Sequence, residues 1–196
     1  MGNKLIGIVG QKRCGKDTIG DYLIKNNSFQ RYSFADPIKR GAMEMFGFTE
    51  AQMWGSAEDK ETIDQRWGIS PRRMLQLMGT ELFQFDIATH LTNGEFPIGR
   101  EVWVHRFKLW FEDQTKKLTN KDQFNVVIAD VRFIHEAKAI RQMGGKIWRV
   151  ERPSIISNDL HASEKEQLEI EADITIINDS NLEELYNKIN KNLNNN

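Results

Sequence analysis

Two glycines, a lysine and a hydroxyl residue lie close together near the start of the chain, in a spacing that suits anion binding. Gly10 and Gly15 flank four residues, Lys16 follows directly, and Thr18 comes two positions later. Glycine adopts backbone conformations closed to residues with a Cβ, so consecutive N–H groups can point at one anion. The lysine ammonium adds a mobile charge that reaches terminal phosphates. The pattern predicts a loop that cradles the polyphosphate of a nucleoside triphosphate.

The position after the lysine departs from the usual phosphate loop, which has Ser or Thr there to ligate magnesium. Asp17 occupies that position, and the hydroxyl comes one residue later at Thr18. Thr18 can still contact a phosphate or the metal, while Asp17 can cap the helix or hold a magnesium-bound water. Both residues are therefore candidate metal contacts.

A carboxylate follows a second apolar run, Phe124–Ala129. A central parallel strand buried on both faces requires such a run, and ligands of doubly wound sheets bind at the carboxyl ends of the strands. Asp130 arrives at that end, where it can organise magnesium through water or accept a hydrogen bond from a substrate. Capping of a helix from 133 to 143 is its alternative role, and we favour the active site because the chain has an independent phosphate loop. Arg132 and Glu136 are expected to face the same cleft.

Four cations are candidates for stabilising a migrating phosphoryl group, which needs positioning and positive charge more than covalent chemistry. They are Lys16, Arg132, Arg149 and Arg152. The last two lie at the start of a polar segment, residues 151–172, that is placed to close as a lid. A structural salt bridge is an equal alternative for any single arginine. His161 in that segment is expected to be a hydrogen-bonded loop residue, since no second soft metal ligand accompanies it.

The overall composition narrows the function classes. The 196 residues include 27 basic and 28 acidic side chains, a formal charge of −1, which gives no reason to expect binding to polymeric nucleic acid. No signal peptide or membrane-spanning apolar run is evident. The only cysteine, Cys14, leaves no intramolecular disulfide and indicates a reducing compartment, so we expect a cytoplasmic protein with no membrane partner. Because Cys14 lies in a cationic loop near a helix start, it is predicted to have thiolate character.

The elements that must position these residues follow from apolar periodicity. Strands alternate with helices, and we expect the strands at roughly residues 4–9, 30–35, 125–129, 146–150 and 173–177. This rhythm predicts an α/β fold with a five-stranded parallel sheet and helices on both faces. The long stretch between the second and third strands, residues 36–120, is the natural place for a helical insertion that binds a second substrate.

Local signals predict where several helices begin. Asp36 is the expected N-cap of one helix, a strong helix should run from residue 70 to about 88, and Ser180 with Glu183 forms a capping box for the last helix. Residues 47–70 are expected to form a loop or short helices. Gly79 interrupts the long helix, where glycine is disfavoured by about 1 kcal/mol relative to alanine. It marks the close approach of either a ligand or another helix, and both readings stay open.

Six segments occur together in an order that is more specific than the phosphate loop alone: Gly10–Thr18, Ser33–Lys39, Arg73–Glu81, Val102–Val104, Asp130–Phe133 and His161–Glu164. They resemble the deoxynucleoside monophosphate kinases of tailed bacteriophages over nearly the whole chain, although this chain is more compact than some members. The resemblance implies a single P-loop domain, residues 1–196, with the nucleoside monophosphate kinase fold. It also implies ATP and Mg²⁺ as cofactors and conversion of deoxynucleoside monophosphates to diphosphates.

The resemblance further implies roles for individual residues. ATP would be held by Gly10, Lys12, Arg13, Cys14, Gly15, Lys16, Asp17 and Thr18. The deoxynucleoside monophosphate would be bound by Asp36, Lys39, Arg40, Arg72, Arg73, Gln76, Gly79, Trp103, Asp130, Arg132 and Glu136. Magnesium would be near Asp17, Thr18 and Asp130, in part through water. The roles of His161, Ser163 and Glu164, the accepted base and the oligomeric state, a homodimer included, stay open.

Two other classes of function remain compatible with the sequence. A kinase of another small phosphorylated acceptor, of the phosphomevalonate or dephospho-coenzyme A type, is similar in its loop and lid. A nucleotide-dependent switch would hydrolyse ATP slowly and signal through a partner, but no glutamine or asparagine is evidently placed to orient an attacking water. An inactive relative is disfavoured by the intact Lys16 and Asp130.

Overall fold

The structure is a computed structural model, and it describes residues 3–90, 99–118, 123–155 and 162–194. Its five strands form one parallel sheet in the order β2-β3-β1-β4-β5. The strands are Leu5–Val9 (β1), Phe29–Tyr32 (β2), Asn125–Ile128 (β3), Lys146–Glu151 (β4) and Ile174–Ile177 (β5). This arrangement confirms the predicted α/β fold with a five-stranded parallel sheet, although β2 ends three residues earlier than expected.

Eleven helical segments accompany the sheet within the described residues. The α-helices are Lys16–Asn27 (α1), Asp36–Phe46 (α2), Glu50–Trp54 (α3), Ala57–Glu61 (α4), Pro71–Gln76 (α5), Ile87–His90 (α6), Val102–Lys116 (α7), Ile134–Gln142 (α8), Ala162–Glu169 (α9) and Leu182–Asn194 (α10), and a π-helix spans Leu77–Asp86. The short helices α3 and α4 confirm the expectation for residues 47–70.

The continuous apolar run of β1 explains why helices cover both faces of the sheet. Ile6 and Ile8 pack in one buried cluster with side chains of α1 and α10, such as Ile19 and Ile189. Gly7 faces the other way, where a Cβ would lie 2.7 Å from the Cδ1 of Ile140 on α8. Successive strand residues point to opposite faces, so β1 is buried on both sides. The central strand therefore ends in a fixed position, and the loop that follows it starts from a rigid support.

The chain divides into two compact units. The first comprises Met1–Ser33 and Lys108–Asn196, and the second comprises Phe34–Phe107. The second unit has its own apolar cluster, built around Ile38, Phe48, Met53 and Met78. The second unit overlaps most of the insertion expected at residues 36–120, but it begins at Phe34 and ends at Phe107.

Two helix starts and the type of a third helix differ from the sequence-based prediction. Ala35 is the N-cap of α2, so Asp36 is its first residue and makes no side-chain cap. Asn181 caps α10 by accepting a hydrogen bond from the Glu184 N–H at 2.9 Å, so the predicted capping box of Ser180 was wrong. The expected regular helix 70–88 begins at Pro71 as predicted, but its central part is a π-helix.

Candidate active site

The loop after β1 has a backbone that only glycine permits at two positions. Gly10 has φ 147° and Gly15 has φ 111°, both on the positive side that L-residues avoid. A Cβ at Gly10 would lie 2.4 Å from the Val150 carbonyl oxygen, and one at Gly15 would lie 2.6 Å from Nδ2 of Asn178. Arg13, between them, also has a positive φ of 68°. The loop therefore has the tight, strained turn expected for an anion cradle.

Lys16 and the start of α1 supply positive charge at this loop. The Lys16 ammonium donates hydrogen bonds to the carbonyl oxygens of Gly10 at 2.5 Å and Gln11 at 2.8 Å. Gly15 is the N-cap of α1, and no side chain caps that helix. N–H groups in the first turn of a helix lack intrahelical partners and attract anions. The loop thus presents an ammonium and a helix N-terminus together.

The side chains of Asp17 and Thr18 differ in exposure. The Asp17 side chain is 88% exposed and lies 3.7 Å from an Arg31 guanidinium nitrogen, so it does not cap α1. Thr18 is half-buried and lines the cavity beside the loop. Lys12 and Arg13 are exposed on the loop itself.

The burial of Cys14 contradicts the prediction that this residue has thiolate character. Its side chain is only 1% exposed and packs in the apolar cluster of the sheet and α1. Burial raises the pKa of the Cys14 thiol, and the nearby Lys16 charge opposes this only in part. Cys14 therefore serves the loop through packing and through its main chain.

A cavity of about 290 Å³ opens beside the loop and α1. It is lined by Arg13, Gly15, Lys16, Asp17, Thr18, Arg152, Asn178, Ser180, Leu182 and Leu185. Asn178 donates a hydrogen bond from Nδ2 to the Cys14 carbonyl at 2.8 Å and so holds the loop. No sequence motif marks Asn178, Ser180 or Leu182 as residues of a binding site. Only their position after β5 could have indicated them, because residues that follow β5 lie at the same edge of the sheet as the start of the loop.

Asp130 and Glu136 have distinct surroundings. The Asp130 carboxylate accepts a hydrogen bond from the Ser33 hydroxyl at 3.0 Å. Helix α8 starts four residues later, and its first turn is capped by Glu136, whose Oε2 accepts from the N–H groups of Arg132 and Phe133 at 2.8 and 3.1 Å. Burial raises the pKa of Glu136 to about 8, although these two hydrogen bonds act to lower it. The helix-capping role considered for Asp130 thus belongs to Glu136.

The three candidate arginines of the first unit differ in their contacts. Arg152 is exposed and lines the cavity with Lys16. Arg132 is exposed on the turn after Asp130. Arg149 is half-buried and donates to the carbonyl of Ile170, just beyond α9. The contacts of Arg149 favour the structural alternative, whereas Arg152 is placed to meet an anion in the cavity.

The second unit contains the remaining predicted site residues. Asp36 accepts a hydrogen bond from Nε1 of Trp54 at 3.1 Å, and the Lys39 ammonium lies 3.9 Å from the same carboxylate and 5.3 Å from the centre of the Trp54 ring. Arg40 is exposed nearby on α2. Asp36 and Lys39 thus lie beside each other on α2, and Trp54, which is 39% exposed and which the sequence did not single out, contacts both.

Helix α5 carries two arginines with acidic neighbours. The distance from Arg72 Nε to Glu61 Oε1 is 3.2 Å, and the distance from Arg73 Nη1 to Glu81 Oε1 is 2.6 Å. The Gly79 carbonyl accepts a hydrogen bond from Nε1 of Trp103 at 2.8 Å. Gln76 is half-buried on the same helix.

A second cavity and the remaining predicted residues add little to the candidate site residues of the two units. A second cavity, of about 320 Å³, is lined by Gln52, Glu58, Asp59, Thr62 and Ile63, and its carboxylates do not suit a phosphate. His161 lies outside the described residues, and the side chains of Ser163 and Glu164 are likewise not described. Within the described parts of the chain, no helix is both long and apolar enough to cross a membrane.

Magnesium needs oxygen ligands, and the first unit offers them. Among the described residues, no three His, Cys, Asp or Glu side chains are grouped to hold a metal ion alone. A magnesium ion that is bound mainly by substrate phosphates and water needs only one or two protein oxygens. Asp17, Thr18 and Asp130 carry side-chain oxygen atoms of this kind, so the chemistry of these residues fits the metal.

Comparison with known proteins identifies the family. The family model described as deoxynucleotide monophosphate kinase matches residues 4–63 and 44–189. The chain belongs to the deoxynucleotide monophosphate kinase family. It is therefore an enzyme of the kinase class. We call the loop after β1 the P-loop.

Relatives in this family are viral. A putative deoxynucleotide monophosphate kinase of Acanthamoeba polyphaga mimivirus is 40% identical over 187 residues, which cover 94% of this chain and 93% of that protein. The deoxynucleotide monophosphate kinases of Enterobacteria phage T4 and Escherichia phage RB69 are 27% and 34% identical, and the matches cover 95% and 96% of this chain and 97% and 98% of those proteins. The phage alignments extend over 252 and 257 positions, more than the 196 residues of this chain, so those relatives contain segments that it lacks.

Two of the similar solved structures are a dephospho-CoA kinase and a shikimate kinase. Dephospho-CoA kinase from Campylobacter jejuni has a TM-score of 0.45 at 16% identity, covering 98% of this chain and 97% of that chain. Shikimate kinase from Aquifex aeolicus has a TM-score of 0.45 at 17% identity, covering 97% and 96%.

Proposed function

We propose that this kinase transfers the terminal phosphoryl group of ATP directly, in line, to deoxynucleoside 5′-monophosphates and so makes the diphosphates. The observation that carries the proposal is the P-loop itself. Gly10 and Gly15 have backbones that only glycine permits, α1 begins without a side-chain cap, and the Lys16 ammonium lies at the loop. Family membership supports the choice of acceptor.

The cavity beside the loop is the proposed ATP site. The loop and the first turn of α1 bind the phosphates through N–H groups, and Lys16 exchanges its carbonyl partners for phosphate oxygens. Arg13 and Arg152 add charge along the same cavity, where a guanidinium grips phosphate in a bidentate way. Leu182 offers an apolar surface to the nucleoside, and Asn178 and Ser180 offer polar groups. The volume of about 290 Å³ is near the lower limit for small-molecule sites.

Magnesium is the second proposed cofactor, held by Thr18 and, through water, by Asp17 and Asp130. When bound, it neutralises phosphate charge. The chain's own part is to orient these oxygens, and the Ser33 hydroxyl fixes Asp130 by donating to its carboxylate. Removal of divalent ions with EDTA is expected to abolish transfer, and added Mg²⁺ to restore it.

The second unit is the proposed binding site for the monophosphate. Lys39, Arg40, Arg72 and Arg73 supply positive charge for the phosphate, while Asp36, Gln76, Gly79 and Trp103 contact the nucleoside. Arg73 and Glu81 form an exposed ion pair, which contributes little to stability and can be exchanged for a substrate phosphate. The near-neutral net charge supports a small substrate over polymeric nucleic acid. The reaction and the reduced Cys14 suit the cytoplasm.

The deciding experiment is a coupled assay of ADP release with ATP and a panel of acceptors. The panel contains deoxynucleoside and ribonucleoside monophosphates, dephospho-coenzyme A and mevalonate 5-phosphate. We expect release that depends on one or more deoxynucleoside monophosphates. Release with dephospho-coenzyme A or mevalonate 5-phosphate alone would replace the proposed acceptor. Slow release that no acceptor stimulates would indicate a nucleotide-dependent switch.

A further inference from the structure

Two neighbouring side chains of α9 hold the main chain just after Asp130. The Nε2 of Gln167 donates to the Val131 carbonyl at 2.7 Å, and the Oε1 of Glu166 accepts from the Ile134 N–H at 3.0 Å. Gln167 is only 4% exposed, and Val131 is fully buried. We call Glu166 and Gln167 the clasp. A buried amide with a satisfied partner on another segment fixes that segment in one position.

The clasp acts on a turn that other groups hold as well. Between its two contact points, the N–H groups of Arg132 and Phe133 are held by the carboxylate of Glu136. The Val131 N–H continues the sheet by donating to the Ile8 carbonyl at 3.2 Å. Side chains from α8 and α9 thus hold the main chain of every residue from 131 to 134. Irregular backbone needs such partners when it is buried, and they also fix its direction.

The clasp is itself anchored to the sheet. Arg149 of β4 donates to the Ile170 carbonyl just beyond the end of α9, and Ile170 is 3% exposed. The Asp173 carboxylate then accepts from the Ile147 N–H of β4 at 2.6 Å. The chain that leaves α9 is therefore fixed to the same strand that leads to Arg152. Arg149 therefore has a structural role, which does not require contact with the nucleotide.

We infer that Gln167, assisted by Glu166, is a positioning residue that sets the place of Asp130 and Arg132 for phosphoryl transfer. The inference rests on the proposed function, because it takes Asp130 and Arg132 as residues of the reaction. Catalytic groups must be held within a fraction of an ångström, and a misplacement of 1 Å lowers rates by about 100-fold. The clasp provides this restraint from a helix that contributes no described side chain to the nucleotide cavity.

The test compares Gln167→Met with Leu168→Ala. Methionine nearly fills the space of glutamine but cannot donate to Val131, whereas Leu168 is 61% exposed on the same helix and serves as control. In Gln167→Met we expect kcat to fall roughly tenfold to 100-fold, with the KM for ATP little changed. Hydrogen exchange of the amides of residues 132–134 should become roughly fivefold faster, since one hydrogen bond is lost. The control should match the wild type in both measurements.

Each outcome decides the inference. Unchanged kcat, or a fall in kcat without faster exchange at residues 132–134, would overturn it. A uniform rise in exchange over the whole sheet would reveal general destabilisation and would also overturn it. Glu166→Gln, which keeps an oxygen acceptor for Ile134, should retain more activity than Glu166→Ala. If the wild type phosphorylates no acceptor, the proposed function fails, and the exchange measurement alone still decides whether Gln167 holds the turn.

Discussion

The ammonium of Lys16 is the charge on which the proposed transfer depends most. Lys16→Met keeps the apolar stem but removes the charge from the P-loop. We expect turnover to fall by roughly 100-fold to 1,000-fold, as for other losses of one electrostatic contact to the transition state. The fold should persist, because the contacts of Lys16 are with two carbonyls of its own loop. ADP release and the melting temperature check both statements, and near-normal turnover would exclude the loop as the ATP site.

Cys14 should be unreactive in the folded protein. Its thiol is buried and its pKa is raised by that burial, so little thiolate is available for attack on a reagent. We expect slow alkylation by iodoacetamide with or without ATP, and rapid alkylation in denaturant. Mass spectrometry measures the extent of labelling. Rapid labelling of the native protein that ATP suppresses would show instead that the thiol faces the nucleotide.

Residue types explain why the P-loop could be predicted and its supports could not. Gly10, Gly15 and Lys16 lie within seven positions, so their spacing alone indicates the chemistry. Asn178 holds the same loop from 164 positions away, and no local pattern links the two. Arg149 likewise had the right type for catalysis, but its partner lies in a segment that only the fold brings near. Residue roles that depend on distant contacts therefore stayed open or were missed.

The π-helix contains Gly79, for which the sequence left two roles open: contact with a ligand or close packing against another helix. A substitution at this position distinguishes them. A Cβ at this position would be 3.5 Å from the Cδ1 of Ile38, an ordinary contact, so close helix packing does not require glycine. We expect Gly79→Ala to leave the free energy of unfolding unchanged or to raise it by up to about 1 kcal/mol. The KM for the monophosphate should increase severalfold because the new methyl group obstructs the ligand. Thermal unfolding and acceptor titration measure the two effects.

A contrary result for Gly79→Ala would be equally clear. Lower stability with an unchanged KM would favour a packing role. Thr80→Ala is a suitable control, since it removes atoms at the neighbouring position of the same helix.

The elements themselves followed closely from sequence pattern. All five strands were predicted, because strands buried in a parallel sheet have short apolar runs that end in turn residues. The first residue of a helix was harder to predict where two adjacent residues were both suitable N-caps, as Ser180 and Asn181 were for α10. The π-helix was not foreseen, because apolar periodicity over ten residues hardly distinguishes five-residue from four-residue hydrogen bonding.

At the scale of the whole molecule, Glu136 makes stability depend on pH. Its pKa rises from an ordinary value of 4.5 to about 8 in the folded protein. The folded state therefore keeps a proton that the unfolded chain releases above about pH 4.5. It follows that this group makes stability fall as pH rises from about 4.5 to about 8. Glu136→Gln imitates the protonated acid, so its free energy of unfolding should change less over this interval.

Urea unfolding at several pH values between 4.5 and 8.5 measures this dependence. Glu169→Gln, a change at an exposed position, is the matched control and should follow the wild type. Identical pH profiles for the wild type and Glu136→Gln would show that Glu136 is ionised in the folded protein throughout.

The hydrogen bond from Asn178 to Cys14 has a consequence for protein synthesis. Asn178, whose side chain braces the loop of residues 10–18, is translated 164 residues after Cys14. A nascent chain that stops before β5 has the residues of the P-loop without its brace or the Leu182 wall of the cavity. On the proposed function, nucleotide affinity should therefore emerge only after β5 has joined the sheet and α10 has packed on it, so chains that stop earlier would not compete for ATP.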